Sequence, residues 1–341
     1  MARKVATSAL VCGIALAASL LLVAPAAAQD ARAQCFAEDD GVSANLRVIA
    51  CSVVIELENA SPDERAKAFA NRGYGYFTNE SYDSAIADYD AAIALDPDDA
   101  RFYSARASTY GYKQDYDHAI ADYDRAIQLD PKLARAFLGR GVIHQNRKDY
   151  DRAIADYSEA MQLDPGAHEA VYDRATAHYD KGDYDRAIAD FDTVIRLAPN
   201  EARAFQDRGV AYHGKQDYDR AIADFDAAIR IGGPRADLLT NRGIAHEAKN
   251  DLDRAIADYD AAIALQPTAR RFVLRGYVHY LQKDFDRAIA DFDAAIARAP
   301  KWLTPRSLRV AALWEKGERR AALSDAADVI SQVIEKLRSD E

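Results

Sequence analysis

Apolar residues recur with helical spacing through the segment Ala204–His213, stop at Gly214-Lys215-Gln216, and resume as Ala221, Ile222, Phe225, Ala228 and Ile229. That 3-4-7-8 spacing builds one apolar stripe on each of two helices. Asp217 stands between them, placed to accept from the unpaired amides of the second helix's first turn. Asp219 follows, favourable against the helix dipole. The reading is a helix, a short turn and an antiparallel helix.

The same phrase, close to Tyr-Asp-Arg-Ala-Ile-Ala-Asp-Tyr-Asp-Ala-Ala-Ile, begins at Tyr82, Tyr116, Tyr150, Tyr184, Tyr218, Leu252 and Phe285. The interval is 34 residues five times and then 33, and a weaker eighth copy starts at Arg319. N-cap candidates recur at Ser81, Asp115, Asp149, Asp183, Asp217, Asp251 and Asp284, and Pro97, Pro131, Pro165, Pro199, Pro267 and Pro300 end second helices. A unit this short cannot bury its apolar face alone, so the copies must stack into an all-α solenoid.

These residues resemble the tetratricopeptide repeat family. A small residue holds the second helix at Ala85, Ala119, Ala153, Ala187, Ala221, Ala255, Ala288 and Ala322. The aromatic four positions on is Tyr89, Tyr123, Tyr157, Phe191, Phe225, Tyr259 or Phe292, lost only at Ala326. The resemblance runs from about Glu64 onward and implies a right-handed superhelix of antiparallel helix pairs, its inner surface lined mainly by first helices. One departure stands out. Where the family usually carries Leu before Gly, this chain has Arg72, Arg106, Arg140, Arg174, Arg208, Arg242, Arg275 and Arg309. Sixteen residues after each lies Asp88, Asp122, Asp156, Asp190, Asp224, Asp258, Asp291 or Asp325. A local pairing with an arginine four residues earlier fails in three copies, where Ser84, His118 and Ala321 stand there and the aspartate remains. The expectation is an Arg–Asp ladder between helices, within or between repeats, serving registry more than net stability.

The domain plan is 1–28 leader, 29–60 capping segment, 61–318 repeat array and 319–341 C-terminal helix. In the first cap, Asn45–Leu57 reads as a degenerate second helix presenting Val48, Ile49, Val53 and Ile55. In the last, Leu323, Ala327, Ile330 and Val333 are expected to face the stack, with Ser331, Glu335 and Lys336 toward water. Gly232-Gly233-Pro234 and a residue missing between Leu265 and Phe272 predict either a local bend or a neutral loop change.

Charge and cysteine usage then place the chain. Arg3 and Lys4, the apolar run Ala9–Val23 and Ala26-Ala27-Ala28 read as a secretory leader cleaved before Gln29. Cys12 lies inside the apolar run behind Leu10 and Val11, a poor lipidation site. No later segment approaches the length of a spanning helix. Without the leader the balance is 42 basic against 55 acidic side chains, a net of −13. That excludes general attraction to nucleic acid. In an exported chain Cys35 and Cys51 read as a disulfide worth about 3 kcal/mol, against the alternative of two unrelated small buried residues.

Mapping the family's inner-surface positions gives Tyr74, Phe77, Tyr112, Tyr172, Tyr179, His213, Tyr277, Tyr280 and Trp314, beside a basic stripe of Lys67, Arg101, Arg135, Arg203 and Arg270. Aromatics beside fixed cations suit an extended peptide with acidic or apolar side chains; the alternative is that several merely pack between helices. The Lys and Asn set with which the family clamps chaperone C-termini is not visible. His144, His178, His246 and His279 share one register, but stacked helices lie about 8–10 Å apart, too far for adjacent copies to share a metal. Asp-x-Asp, as at Asp88 and Asp90, lacks a calcium loop's glycine and glutamate. Gly73-Tyr74-Gly75 follows no strand and is no phosphate loop. No nucleophile with a partnered base, metal or cofactor is expected. The reading is a non-enzymatic scaffold holding a protein or peptide in the periplasm or outside the cell. The alternative is a structural subunit of an envelope secretion or polysaccharide-export assembly.

Overall fold

The computed structural model describes residues 25–37 and 41–339, which form eighteen α-helices and no strand. The leader's apolar run lies outside the described residues. Helices α1 (Pro25–Cys35) and α2 (Ala44–Glu56) precede the repeats. Eight antiparallel pairs follow: α3/α4 (Pro62–Thr78, Tyr82–Leu95), α5/α6 (Ala100–Tyr112, Tyr116–Leu129), α7/α8 (Ala134–Asn146, Tyr150–Leu163) and α9/α10 (His168–Asp180, Tyr184–Leu197). Then come α11/α12 (Ala202–Gly214, Tyr218–Gly232), α13/α14 (Ala236–Ala248, Leu252–Leu265), α15/α16 (Ala269–Leu281, Phe285–Arg298) and α17/α18 (Leu303–Lys316, Arg319–Ser339). The helices gather into two compact units that divide between Ala170 and Val171, inside α9.

Each pair closes through the residues that recur. Asp115, Asp149, Asp183, Asp217, Asp251 and Asp284 accept from the amide three residues on, as Asp217 does from Arg220. Ser81 makes no such bond. The residue before each cap is left-handed, with φ near 60° at Glu80, Gln114, Lys148, Gln216, Asn250 and Lys283 and larger at Gly182 and Gly317. Inside the pair, Ala221 and Phe225 are buried against the first helix. A Cβ on Gly209 would meet the Phe225 ring at 2.9 Å, so the two helices are closer than a larger residue permits. Within each unit successive first helices touch one another, as α5 with α7 and α11 with α13, and second helices make no comparable contact. Within each unit the first helices therefore share one side of the stack.

The N-terminal cap is held by chemistry as much as by packing. Cys35 and Cys51 form a disulfide joining α1 to α2, with Cα atoms 4.8 Å apart. Ala31, Ala50, Val54 and Ala68 surround it. Arg32 bonds Glu64 and Asn59, and Asn71 Nδ2 donates to the Cys35 carbonyl at 3.0 Å. Ile49 points to solvent because Ala50, Cys51 and Val54 take the packing face. The expected cleavage point falls inside α1, where Ala28 packs on Leu57 and Ala60.

One expectation is corrected. In α18 Leu323 and Ile330 are 63% and 60% exposed, and Ala327 and Val333 are exposed too. Arg309 of α17 holds Asp325, which fixes the rotation of α18 and turns Ala322 inward instead. At the shortened loop buried Arg271 donates to the Gln266 carbonyl at 2.9 Å and to Thr240 Oγ1 at 3.0 Å. The guanidinium thus caps the C-terminal end of α14.

Candidate functional site

The arginine of every first helix is forked onto the aspartate of its own second helix. Nε and Nη2 of Arg72, Arg106, Arg140, Arg174, Arg208, Arg242, Arg275 and Arg309 donate to the two oxygens of Asp88, Asp122, Asp156, Asp190, Asp224, Asp258, Asp291 and Asp325. The Nε–Oδ2 distances are 2.6–2.9 Å. The third nitrogen, Nη1, reaches back across the junction. It bonds Asp90 from Arg106, Asp124 from Arg140, Asp192 from Arg208, Asp226 from Arg242, Asp260 from Arg275 and Asp293 from Arg309. Arg72 Nη1 finds Ser52 Oγ of α2 at 3.1 Å instead. Each guanidinium with an aromatic three residues before it also lies over that ring, 5.3–5.7 Å from Phe69, Tyr103, Phe137, Phe205 and Phe272. The second carboxylate was missed in sequence, although the recurring Asp-x-Asp was its signal.

A second, exposed seam joins the end of one first helix to the start of the previous second helix. Its pairs are Lys113–Asp83, Arg147–Asp117, Lys215–Asp185, Lys249–Asp219 and Lys316–Asp286. His144, His178, His246 and His279 are buried between the two seams, and burial pushes each imidazole below its ordinary pKa. His144, His246 and His279 lie 3.9–4.0 Å from the ladder carboxylates Asp156, Asp258 and Asp291. No group of three or more His, Cys, Asp or Glu able to hold a metal occurs among the described residues.

The inner-surface aromatics sort into anchors and supports. Tyr112 is 64% exposed and Trp314 49%, and Tyr74 and Tyr277 are exposed as well. Phe77 holds Tyr112 edge-on at 5.0 Å, with Tyr82 completing the group. Tyr179, His213 and Tyr280 are half-buried against Tyr184, Tyr218 and Phe285, the first residues of their second helices. Tyr277 stacks on Tyr280 at 6.5 Å. Tyr172 is corrected: it is buried, edge-on to Phe191, and its hydroxyl donates to Asp207 of the next first helix. Burial of Asp207 makes that hydrogen bond worth more than a place at the surface.

The basic stripe is also divided. Lys67 pairs with Asp63 at 2.8 Å, Arg101 with Asp99, and Arg203 lies 3.7 Å from Asp207 and over the Tyr172 ring. Arg135 and Arg270 are exposed. Exposed Arg319 lies 5.4 Å from the Trp314 ring, whereas Arg47, 5.8 Å from the Tyr74 ring, is buried and donates to the Ala37 carbonyl at 2.9 Å.

The architecture has solved counterparts. The C-terminal part of a TPR repeat-containing protein from Cytophaga hutchinsonii is 20% identical, with TM-score 0.59 over 69% of this chain and 97% of that one. A tetratricopeptide repeat protein from Parabacteroides merdae is 20% identical, with TM-score 0.55 over 73% and 98%. Pseudomonas aeruginosa PilF gives 20% identity and TM-score 0.55 over 65% and 99%. At these identities the likeness is one of fold. No curated protein matches the chain by sequence. The tetratricopeptide repeat family model matches residues 104–168, 172–236 and 240–301, more than half of the sequence, and a second TPR repeat model matches 73–114. With its forked helix pairs, small-residue contacts and 34-residue interval, the chain belongs to the tetratricopeptide repeat family.

Proposed function

We propose that this chain is a non-enzymatic scaffold of the periplasm or cell envelope that holds a partner protein or extended peptide along its first-helix surface. The observation that carries the proposal is the set of exposed aromatics held rigid from behind: Tyr112 by Phe77 and Tyr82, and Tyr277 by Tyr280. An aromatic that is already ordered loses little entropy on binding, which is what anchor residues need. Arg319 beside Trp314 adds a charge for an acidic side chain of the ligand. The leader-like start and the Cys35–Cys51 disulfide support export to an oxidising compartment. Non-enzymatic scaffolding is also the usual role of the family.

Cross-linking in intact cells with mass spectrometry tests this. A reproducible partner is expected, and Tyr112→Ala with Trp314→Ala should cut its recovery about tenfold or more while leaving the melting curve unchanged. Equal recovery from the variant would remove the first-helix surface from consideration.

A further inference from the structure

Helix α18 runs for 21 residues, where the other second helices have 14 or 15. Through this length it carries Leu323, Ala327, Ile330 and Ile334, spaced 4, 3 and 4 apart, on a single exposed face. In earlier repeats the residue in the register of Ile330 is covered by the next first helix, as Ile93 is by Phe102 and Ile263 by Phe272. No described residue covers Ile330, and Ile334 is 44% exposed. The register of Ala327 matters as well. In the other second helices except Ser158 it is an aspartate, Asp90 through Asp293, that takes the next arginine's Nη1. With alanine there, α18 has no acceptor for a further repeat and an unbroken apolar seam.

We propose that this seam docks on the same seam of a second copy, the two α18 helices running antiparallel about a two-fold axis. Leu323 and Ile330 keep the apolar registers of earlier second helices, and Ala327 and Ile334 complete the 4-3-4 spacing of a coiled-coil seam. Antiparallel pairing sets Leu323 of one copy against Ile334 of the other, and Ala327 against Ile330, so each layer holds one pair of apolar residues. The positions flanking the seam are Ser324 and Ser331 on one side and Ala326 and Val333 on the other. None of these four is charged, so like charges do not meet across the central layers, while Arg338, next in the register of Ser324 and Ser331, stands opposite Arg319 of the other copy at each end of the contact. Asp328 and Glu335 lie on the polar back of the helix, and Asp325 is already taken by Arg309. A two-fold, isologous contact closes on itself and stops at a dimer.

The contact is one helix per copy, below the size of a typical stable interface, so a dissociation constant of about 1–100 µM is expected. Sedimentation equilibrium of the purified protein from about 1 to about 300 µM reads it directly. The weight-average mass should rise from one chain toward two. Ile330→Asp should hold the mass at one chain throughout, with unchanged circular dichroism and melting, because Ile330 is 60% exposed within its own chain. A wild-type mass that stays at one chain across the range overturns the proposal, as does a dimer that survives Ile330→Asp undiminished. Mixing Ala327→Cys with Ile330→Cys chains tests the direction. Cross-links between the two variants support antiparallel pairing, and cross-links confined to like variants overturn it.

Discussion

Arg208 makes contacts that no other side chain could combine. It is forked onto Asp224, bonded through its third nitrogen to Asp192, and laid over the Phe205 ring. Lysine has one ammonium and no plane, so it cannot fork, bridge and stack together. Arg208→Leu leaves Asp224, 5% exposed, with its charge unpaired. Loss of one partner of a buried pair costs about 3–5 kcal/mol, and the partial access of this site to water lowers the expectation to about 2–4 kcal/mol. Urea or thermal unfolding measures it, and an unchanged midpoint would contradict the ladder's structural role. The first carboxylate of each fork was readable because it tracks the arginine at a constant spacing of 16 residues. The second was not. Whether Asp90 faces solvent or Arg106 depends on the angle at which the next pair packs, and no local pattern encodes that angle. Tyr172 shows the same limit, since its burial is decided by Asp207, 35 residues away.

At the scale of elements, helix pairs follow from the 3.6-residue periodicity and the capping aspartates, and their existence was legible throughout. Rotation of the end helices was not. Apolar count alone points Leu323 and Ile49 inward, but Asp325 and Cys51 decide which way α18 and α2 turn. The cap formed by α1 and α2 also tests how local stability is in a stack of nearest neighbours. Replacing Cys35 and Cys51 with alanine should destabilise the cap by about 3 kcal/mol. Hydrogen exchange should then rise in α1, α2 and α3 and remain unaltered from α11 onward. Uniform loss of protection along the chain would show that the disulfide supports more than its own cap.

For the whole molecule, the buried histidines set a dependence on pH. His144, His178, His246 and His279 have imidazoles depressed by burial, so the folded chain binds fewer protons there than the unfolded chain. Their neutral form suits the fold above the ordinary histidine value of about 6.5, and stability is lost as pH falls through it toward the depressed values. Asp207 and Glu247, raised by burial, act in the opposite sense nearer the ordinary carboxylate range. The melting temperature should therefore drop between about pH 7.5 and about pH 6. Tyrosine occupies the same register at Tyr76, Tyr110 and Tyr212, so replacing all four histidines with tyrosine should flatten that drop. A variant with the original slope would locate the titration elsewhere. The fork has one more consequence, for how such a chain changes length. Excising the 34 residues Tyr218–Asp251 removes Asp224, Asp226 and Arg242 together, and Arg208 then meets Asp258 at its accustomed spacing, with Asp260 waiting for Arg275. Duplicating the same stretch closes equally well. A gene encoding this ladder can gain or lose whole units by unequal recombination without stranding a single charge.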